Sequence, residues 1–320
     1  MLYGMTTTLD DVRAAAARIA GDVHRTPLLS ATSLGERYGV RLRVKAEVFQ
    51  RTGSFKIRGA LNAVRQLSDE QRAKGLVAIS AGNHAAALAY AARASKATAT
   101  IVMPHTANAA KIAATDAYGG EVVLTDQPLL DTLAQVTAER GGPTLVHPFD
   151  DPNVVAGAGT VGLEILEDGP PPDVVVVQAG GGGLLSGVAT VVKALHPDTQ
   201  VIGVEPEGAD VISRSLAAGE PVGMVPVSVA DGLCSPIGGT VTLPIIREKV
   251  DRVVRVPDDA IRQAMREMVE RTKLVVEPAG AAGLAPFVAG LLDLPRGADV
   301  VLIATGANID ATLLATLLAP

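Results

Sequence analysis

The run Val174-Val175-Val176-Val177 is what most constrains the fold of this chain. Four β-branched residues with no polar alternation suit a strand covered on both faces. Strands of that kind belong to parallel sheets flanked by helices. Similar short apolar runs recur in two series. The first comprises Leu76–Ser80, Ala99–Met103, Glu121–Leu124 and Thr144–Val146. The second comprises Val174–Gln178, Val201–Glu205, Arg252–Val256 and Val300–Ala304. Alanine-rich stretches with helical character, Ala85–Ala94 and Ala107–Tyr118, separate members of the first series. This rhythm predicts an α/β protein with two parallel-sheet units. Residues 1–71 and 150–320 are expected to form a large unit, and residues 72–149 a smaller mobile unit inserted into it. Ahead of both series, Leu9–Ala20 reads as a helix capped by Thr8 with Asp11 three residues on. Arg41–Glu47 alternates as a strand should.

Composition narrows the function. Hydrophobic residues make up 48% of the chain, enough for a large core, which argues against disorder. Aromatic residues are only 2%, with no tryptophan, and the formal charge is −6. Both facts argue against a nucleic-acid partner. The single cysteine, Cys234, can form no intrachain disulfide, which fits a reducing compartment; the thiol reads as a small buried hydrophobe. No apolar run reaches membrane-spanning length, and the N-terminus lacks a signal-peptide pattern, so a cytoplasmic location is expected. Leu313–Leu318 reads as a short closing helix.

Four segments could carry chemistry. Lys56 follows a Thr52-Gly53-Ser54 turn, is flanked by Phe55 and Ile57, and opens a helix. An amine between apolar neighbours can shed its proton and act as a nucleophile. Gly180-Gly181-Gly182-Gly183 lies between the valine strand and a helix beginning at Leu184. Four glycines cost more chain entropy than a plain turn requires. Bare amides at a helix start are suited to holding a phosphate. Ser80-Ala81-Gly82-Asn83-His84 joins another strand to another helix start, and could take a substrate carboxylate. The ring of His84 is expected to be satisfied by backbone. Thr305 ends the last strand, where ligands meet parallel sheets. An amine able to form a Schiff base, together with a separate phosphate loop, points to pyridoxal phosphate.

Two other patterns read as structure. Gly157-Ala158-Gly159-Thr160-Val161-Gly162 fits the dinucleotide fingerprint, but a loop and not a strand precedes it, and Asp173 begins a strand instead of ending one. Close helix packing accounts for its glycines. The five histidines (His24, His84, His105, His147 and His196) lack zinc-ligand spacing. The acid pairs Asp10-Asp11 and Asp150-Asp151 read as solvated caps and turns.

With these residues set out, the chain resembles the threonine/serine dehydratases and serine racemases. These are pyridoxal phosphate enzymes of fold type II, the fold of tryptophan synthase β-chains. The resemblance covers nearly the whole chain. It runs through His24-Arg25-Thr26-Pro27-Leu28, Ser54 to Gly59, Ser80 to His84 and the glycine loop. It continues through Ala230-Asp231-Gly232-Leu233, Val276-Glu277-Pro278-Ala279-Gly280 and Thr305 to Asp310. It implies that Lys56 is the Schiff-base lysine and the base for the α-proton. Phe55 would line the cofactor, Asn83 would contact its phenolic oxygen, and Gly180, Gly181, Gly182, Gly183 and Leu184 would hold its phosphate. Glu277 would lie near its ring. Thr305 would meet the pyridine nitrogen, as a neutral partner that does not enforce protonation. Ser80, Ala81, Gly82, Asn83 and His84 would bind the substrate.

The chain departs from the family pattern at three points. Racemases of this kind carry a second serine where Ala81 stands; alanine has no proton to give, which favours dehydration. A divalent-cation site would use Glu205 and the carbonyl of Ala209, but Val211 occupies the usual acid position and Asp210 is one residue early, so that ligand set is incomplete. The chain lacks the regulatory extension of biosynthetic dehydratases, so isoleucine feedback is not expected. The resemblance implies an ammonia-lyase for a β-hydroxy amino acid and a homodimer. The alternatives are an amino acid racemase with dehydratase side activity, and a non-catalytic cofactor- or amino-acid-binding sensor.

Overall fold

The computed structural model describes residues 7–319. The readings of the first residues, 1–6, and of Pro320 fall outside that range. Among the described residues, ten strands form two sheets. The larger is built from β1 (Leu28–Ser30), β2 (Arg41–Lys45), β7 (Val174–Gln178), β8 (Gln200–Pro206), β9 (Arg252–Val256) and β10 (Asp299–Ile303), in the order β1-β2-β10-β7-β8-β9. The smaller contains β3 (Leu76–Ile79), β4 (Ala99–Pro104), β5 (Glu121–Thr125) and β6 (Thr144–Leu145), in the order β5-β4-β3-β6. All pairings are parallel except that of β1, an antiparallel edge strand against β2. The two-sheet α/β architecture is as expected; β1 is an addition that three residues of ordinary composition did not signal.

The valine run explains itself in this setting. Val174 and Val176 pack into a core with Ile261, Met265 and Leu284 on one face. Val175 and Val177 pack with Leu185, Val188 and Val192 on the other. Each valine is fully or almost fully buried, so no position along the strand tolerates a polar residue.

The helix Lys56–Gln66 stands between the sheets. Its Ile57, Leu61 and Val64 share one core with Leu76, Ala78 and Ile101 of the smaller sheet and with Leu88 of the helix Asn83–Ala94. Its other side lies on the helix Pro152–Glu167. There Gly157, part of the false dinucleotide fingerprint, sits mid-helix, and a Cβ on it would fall 2.4 Å from the carbonyl oxygen of Arg58. Close packing is therefore the role of that glycine.

A buried ionic cluster fixes the same helix. Arg58 is fully buried; its Nε and Nη2 donate to Glu47 at 2.8 Å, and Nη1 donates to Glu164 at 2.7 Å. Thr26 donates to the same Glu47 carboxylate at 2.5 Å, and buried Lys45 reaches Glu164 at 2.7 Å. Every charge in the cluster has a partner, which is the condition for burying charge at tolerable cost. Replacing Arg58 with alanine strands Glu47 without a counter-charge. The expected loss is roughly 3–5 kcal/mol of unfolding free energy, measured by urea denaturation.

Candidate active site

Three strand ends converge on one cleft, at the carboxyl edges of both sheets. β7 runs into the glycine loop, β3 runs into Ser80–His84, and β10 runs into Thr305. Parallel sheets leave their crevices at this edge. The resulting cavity has a volume of about 360 Å³. All the predicted cofactor and substrate residues line it, from Phe55 and Lys56 through residues 80–84 and 180–184 to Glu277 and Thr305.

Lys56 begins its helix, and its Nζ donates to the carbonyl oxygen of Pro148 at 2.9 Å. Nζ also lies 5.2 Å from the centre of the Phe55 ring. Burial pushes its pKa down to about 8, against an opposing pull from the Glu277 carboxylate. A substantial fraction of this amine is therefore neutral near pH 8. Burial likewise lifts the Glu277 carboxyl to about 7.

The glycine loop is a cup without side chains. A Cβ on Gly181 would lie 2.4 Å from the Phe149 ring. Gly182 has φ +91°, a left-handed conformation, with Ile246 2.7 Å from where its Cβ would be. Among the described residues, no turn or cap hydrogen bond uses the N–H of Gly181, Gly182, Gly183 or Leu184. The helix they open, Gly183–Leu195, has no side-chain cap. These free donors, at the positive end of a 13-residue helix, are suited to an anion.

The opposite wall is the loop Ser80–His84. Ser80 Oγ accepts from the N–H of Gly82 at 3.2 Å, which shapes the turn. Ala81 offers only a methyl group. His84 is nearly fully buried, and its Nε2 donates to the carbonyl of Val146 at 3.0 Å. Burial pushes the His84 pKa down to about 3, so the ring is neutral; backbone satisfies Nε2, as expected, but Nδ1 is buried without a partner. Asn83 Nδ2 donates to Glu277 Oε1 at 2.5 Å.

Glu205 and Ala209 lie outside this cavity. Both Glu205 oxygens are committed to the start of the helix Val211–Ala218. They accept from the N–H of Ile212 at 2.6 Å and from the N–H and hydroxyl of Ser213 at 2.9 and 2.7 Å. Asp210 is paired with Arg214 and Arg255. Among the described residues, no three His, Cys, Asp or Glu side chains converge to hold a metal ion. The Glu205 oxygens thus cap a helix start, and Asp210 is charge-paired. Asp150 also differs from its solvated reading: its carboxylate accepts from the N–H of Thr240 and Val241, at 2.9 and 2.7 Å.

Several residues of the site carried no local signal. Phe149 closes the cup from below. Gln178 Nε2 donates to the carbonyls of Gly280 and Ile303 at 3.0 and 2.7 Å, tying β7 to β10 and to the Glu277 turn. Lys111, on the helix Ala109–Ala117, pairs with Asp231 at the rim. Asp231 and Asn308 stood inside recognised motifs, but nothing in their spacing indicated a role.

A family model described as "Pyridoxal-phosphate dependent enzyme" matches residues 19–306. The chain is 40% identical over 319 residues to a serine racemase of Oryza sativa subsp. indica, covering 98% of this chain and 94% of the relative. It is 43% identical over 311 residues to an L-threo-3-hydroxyaspartate ammonia-lyase of Pseudomonas sp, covering 96% and 97%. The solved structure of a maize serine racemase superposes with a TM-score of 0.92 at 39% identity, covering 98% of this chain and 97% of that one. No helix among the described residues is long and apolar enough to cross a membrane.

The local environment of Lys56 makes a measurable prediction. In the apo-protein, the rate at which an acylating reagent modifies Lys56, followed by peptide mapping, should rise with a midpoint near pH 8 instead of near 10.5. Glu277→Gln removes a negative charge that favours the ammonium form, so the midpoint should move lower still.

Proposed function

This chain belongs to the pyridoxal-phosphate dependent enzymes, and from that membership we propose that it is an ammonia-lyase acting on a β-hydroxy amino acid. L-Threonine and L-serine are the foremost substrates. The carrying observation is one cavity that joins an amine of lowered basicity, a side-chain-free anion cup and a substrate loop bearing Ala81.

The residues fit the cofactor. The cup in which a Cβ would strike Phe149, with its free N–H groups, suits a phosphate. Lys56 suits the aldehyde, Asn83 the phenolic oxygen, and the Thr305 hydroxyl the ring nitrogen. Pyridoxal phosphate, when bound, supplies an aldehyde that links to amines and a ring that accepts the charge left when the α-proton departs. Lys56, once its amine is free, takes that proton; its pKa near 8 leaves it a working base at neutral to mildly alkaline pH. Thr305 is neutral, so it does not enforce the protonated ring that would hold the charge longest. That favours expulsion of the β-hydroxyl over return of the proton. Loss of the α-proton and hydroxide as water leaves an enamine, which tautomerises and hydrolyses to a 2-oxo acid and ammonium.

The substrate carboxylate rests on the amides of residues 80–84 at the start of the helix Asn83–Ala94. The unit spanning residues 72–149 closes over it and excludes water. Support for closure comes from two polar links that already bridge the rim, Lys111 with Asp231 and Asn108 with Asp310. A cytoplasmic homodimer completes the reading, supported by the single unpaired cysteine and by the family resemblance.

Racemisation is the second reading, because two of the similar proteins are named serine racemases. It needs a proton donor on the face opposite Lys56, and Ala81 cannot serve. Holoenzyme incubated with L-serine should release pyruvate with no accumulation of D-serine by chiral chromatography, and Ala81→Ser should raise the D-serine yield. Lys56→Ala should cut 2-oxo acid release by about 10²–10⁴-fold or more. Undiminished turnover in that variant, or substantial D-serine from the unmodified enzyme, would overturn the assignment.

A further inference from the structure

Asn308 lies beyond the end of β10, and its amide reaches two distant segments at once. Nδ2 donates to the carbonyl oxygen of Thr52 at 2.8 Å and to Oδ1 of Asn83 at 2.8 Å. Thr52 precedes Lys56 by four residues and holds a left-handed backbone, φ +64°, that a threonine rarely adopts. Gly53 leaves the space for this contact, since a Cβ there would fall 2.4 Å from Asn308 Oδ1.

The polarity of this line of amides is fixed by chemistry. A backbone carbonyl can only accept, so the NH2 group of Asn308 must face Thr52. Its second N–H then requires an oxygen from Asn83, which turns the Asn83 NH2 away toward Glu277. A carboxylate at the far end accepts that donor at 2.5 Å. Asn83 keeps one N–H unused in these bonds, and the residue is among those lining the cavity. Gly306 protects the arrangement, because a Cβ there would lie 2.4 Å from Glu277 Oε1 and 3.1 Å from Asn83 Nδ2.

We propose that Asn308 is a positioning residue: the bonds it makes to Thr52 and Asn83 set the direction of the Asn83 amide, so that a donor and not an acceptor is presented to the cofactor's phenolic oxygen. The inference rests on the reading above that Asn83 contacts that oxygen. A donor there favours the ionised oxygen. An amide free to rotate offers its carbonyl part of the time and favours the protonated form.

The test uses cofactor-loaded protein and reads the absorption spectrum instead of turnover. The ratio of the near-ultraviolet band to the visible band reports the share of protonated oxygen at fixed pH. Asn83→Ala and Asn308→Ala should both raise this ratio, by roughly three- to tenfold, the equivalent of one ordinary hydrogen bond. Asn308→Ser, a gentler change that keeps one donor, should give an intermediate value and guards against a poorly folded alanine variant. A wild-type ratio in both Asn308 variants beside a raised ratio in Asn83→Ala overturns the positioning role alone. A wild-type ratio in Asn83→Ala overturns the cofactor contact of Asn83, and this inference with it.

Discussion

The site depends on a short stitch of main chain between two segments some 250 residues apart. The N–H of Phe55 donates to the carbonyl of Thr305 at 3.1 Å, the N–H of Ala307 donates to Gly53 at 3.0 Å, and Ser54 and Gly306 form an isolated antiparallel bridge. The N–H of Glu277 donates to the carbonyl of Gly306 at 3.0 Å. Lys56 therefore takes its place from the end of β10 as much as from its own helix. A one-residue slip in this pairing would change the relation of Lys56 to Thr305 and Glu277 together. That is why the surrounding turn tolerates a threonine in the left-handed region and glycines that cannot be replaced.

Around that stitch the two sheets divide the work. The larger one supplies the glycine cup, at the end of a valine strand buried on both faces, and Thr305, at the end of β10. The smaller one supplies the loop Ser80–His84 on alanine-rich helices. The Lys56 helix is common to both: its apolar side belongs to the core of the smaller sheet, and Arg58 anchors it to Glu47 and Glu164. Charge is handled by the same logic throughout. Fully buried Arg58 and Lys45 are in ion pairs, whereas Lys56 donates to a backbone carbonyl, and burial lowers its basicity against the pull of Glu277.

Much of this was legible from the residues in order. Valine runs and alanine-rich periodicity report burial within a few residues, so the sheets, the strand-end loops and the glycine cup could be read locally. Thr8 and Asp11 form the reciprocal cap their spacing predicted. What was not legible depends on contacts between distant positions. Asp150 looks like a turn acid, yet it caps a helix start 90 residues away. Asn308 and Gln178 are ordinary polar residues until the fold surrounds them with carbonyls. β1 is too short to show a period, and the acid at Glu205 gives no local sign that its oxygens are spent on Ile212 and Ser213.

The contrast between the two walls of the cleft has an evolutionary corollary. Behind the glycine cup there is no room: a methyl group on Gly181 would overlap an aromatic ring. Across from it, a methyl group on Gly82 would meet nothing within 4 Å. Heritable variation is thus barred at Gly181 and open at Gly82. Descendants of such a scaffold can gain a side chain at position 82 while inheriting the opposite wall unaltered.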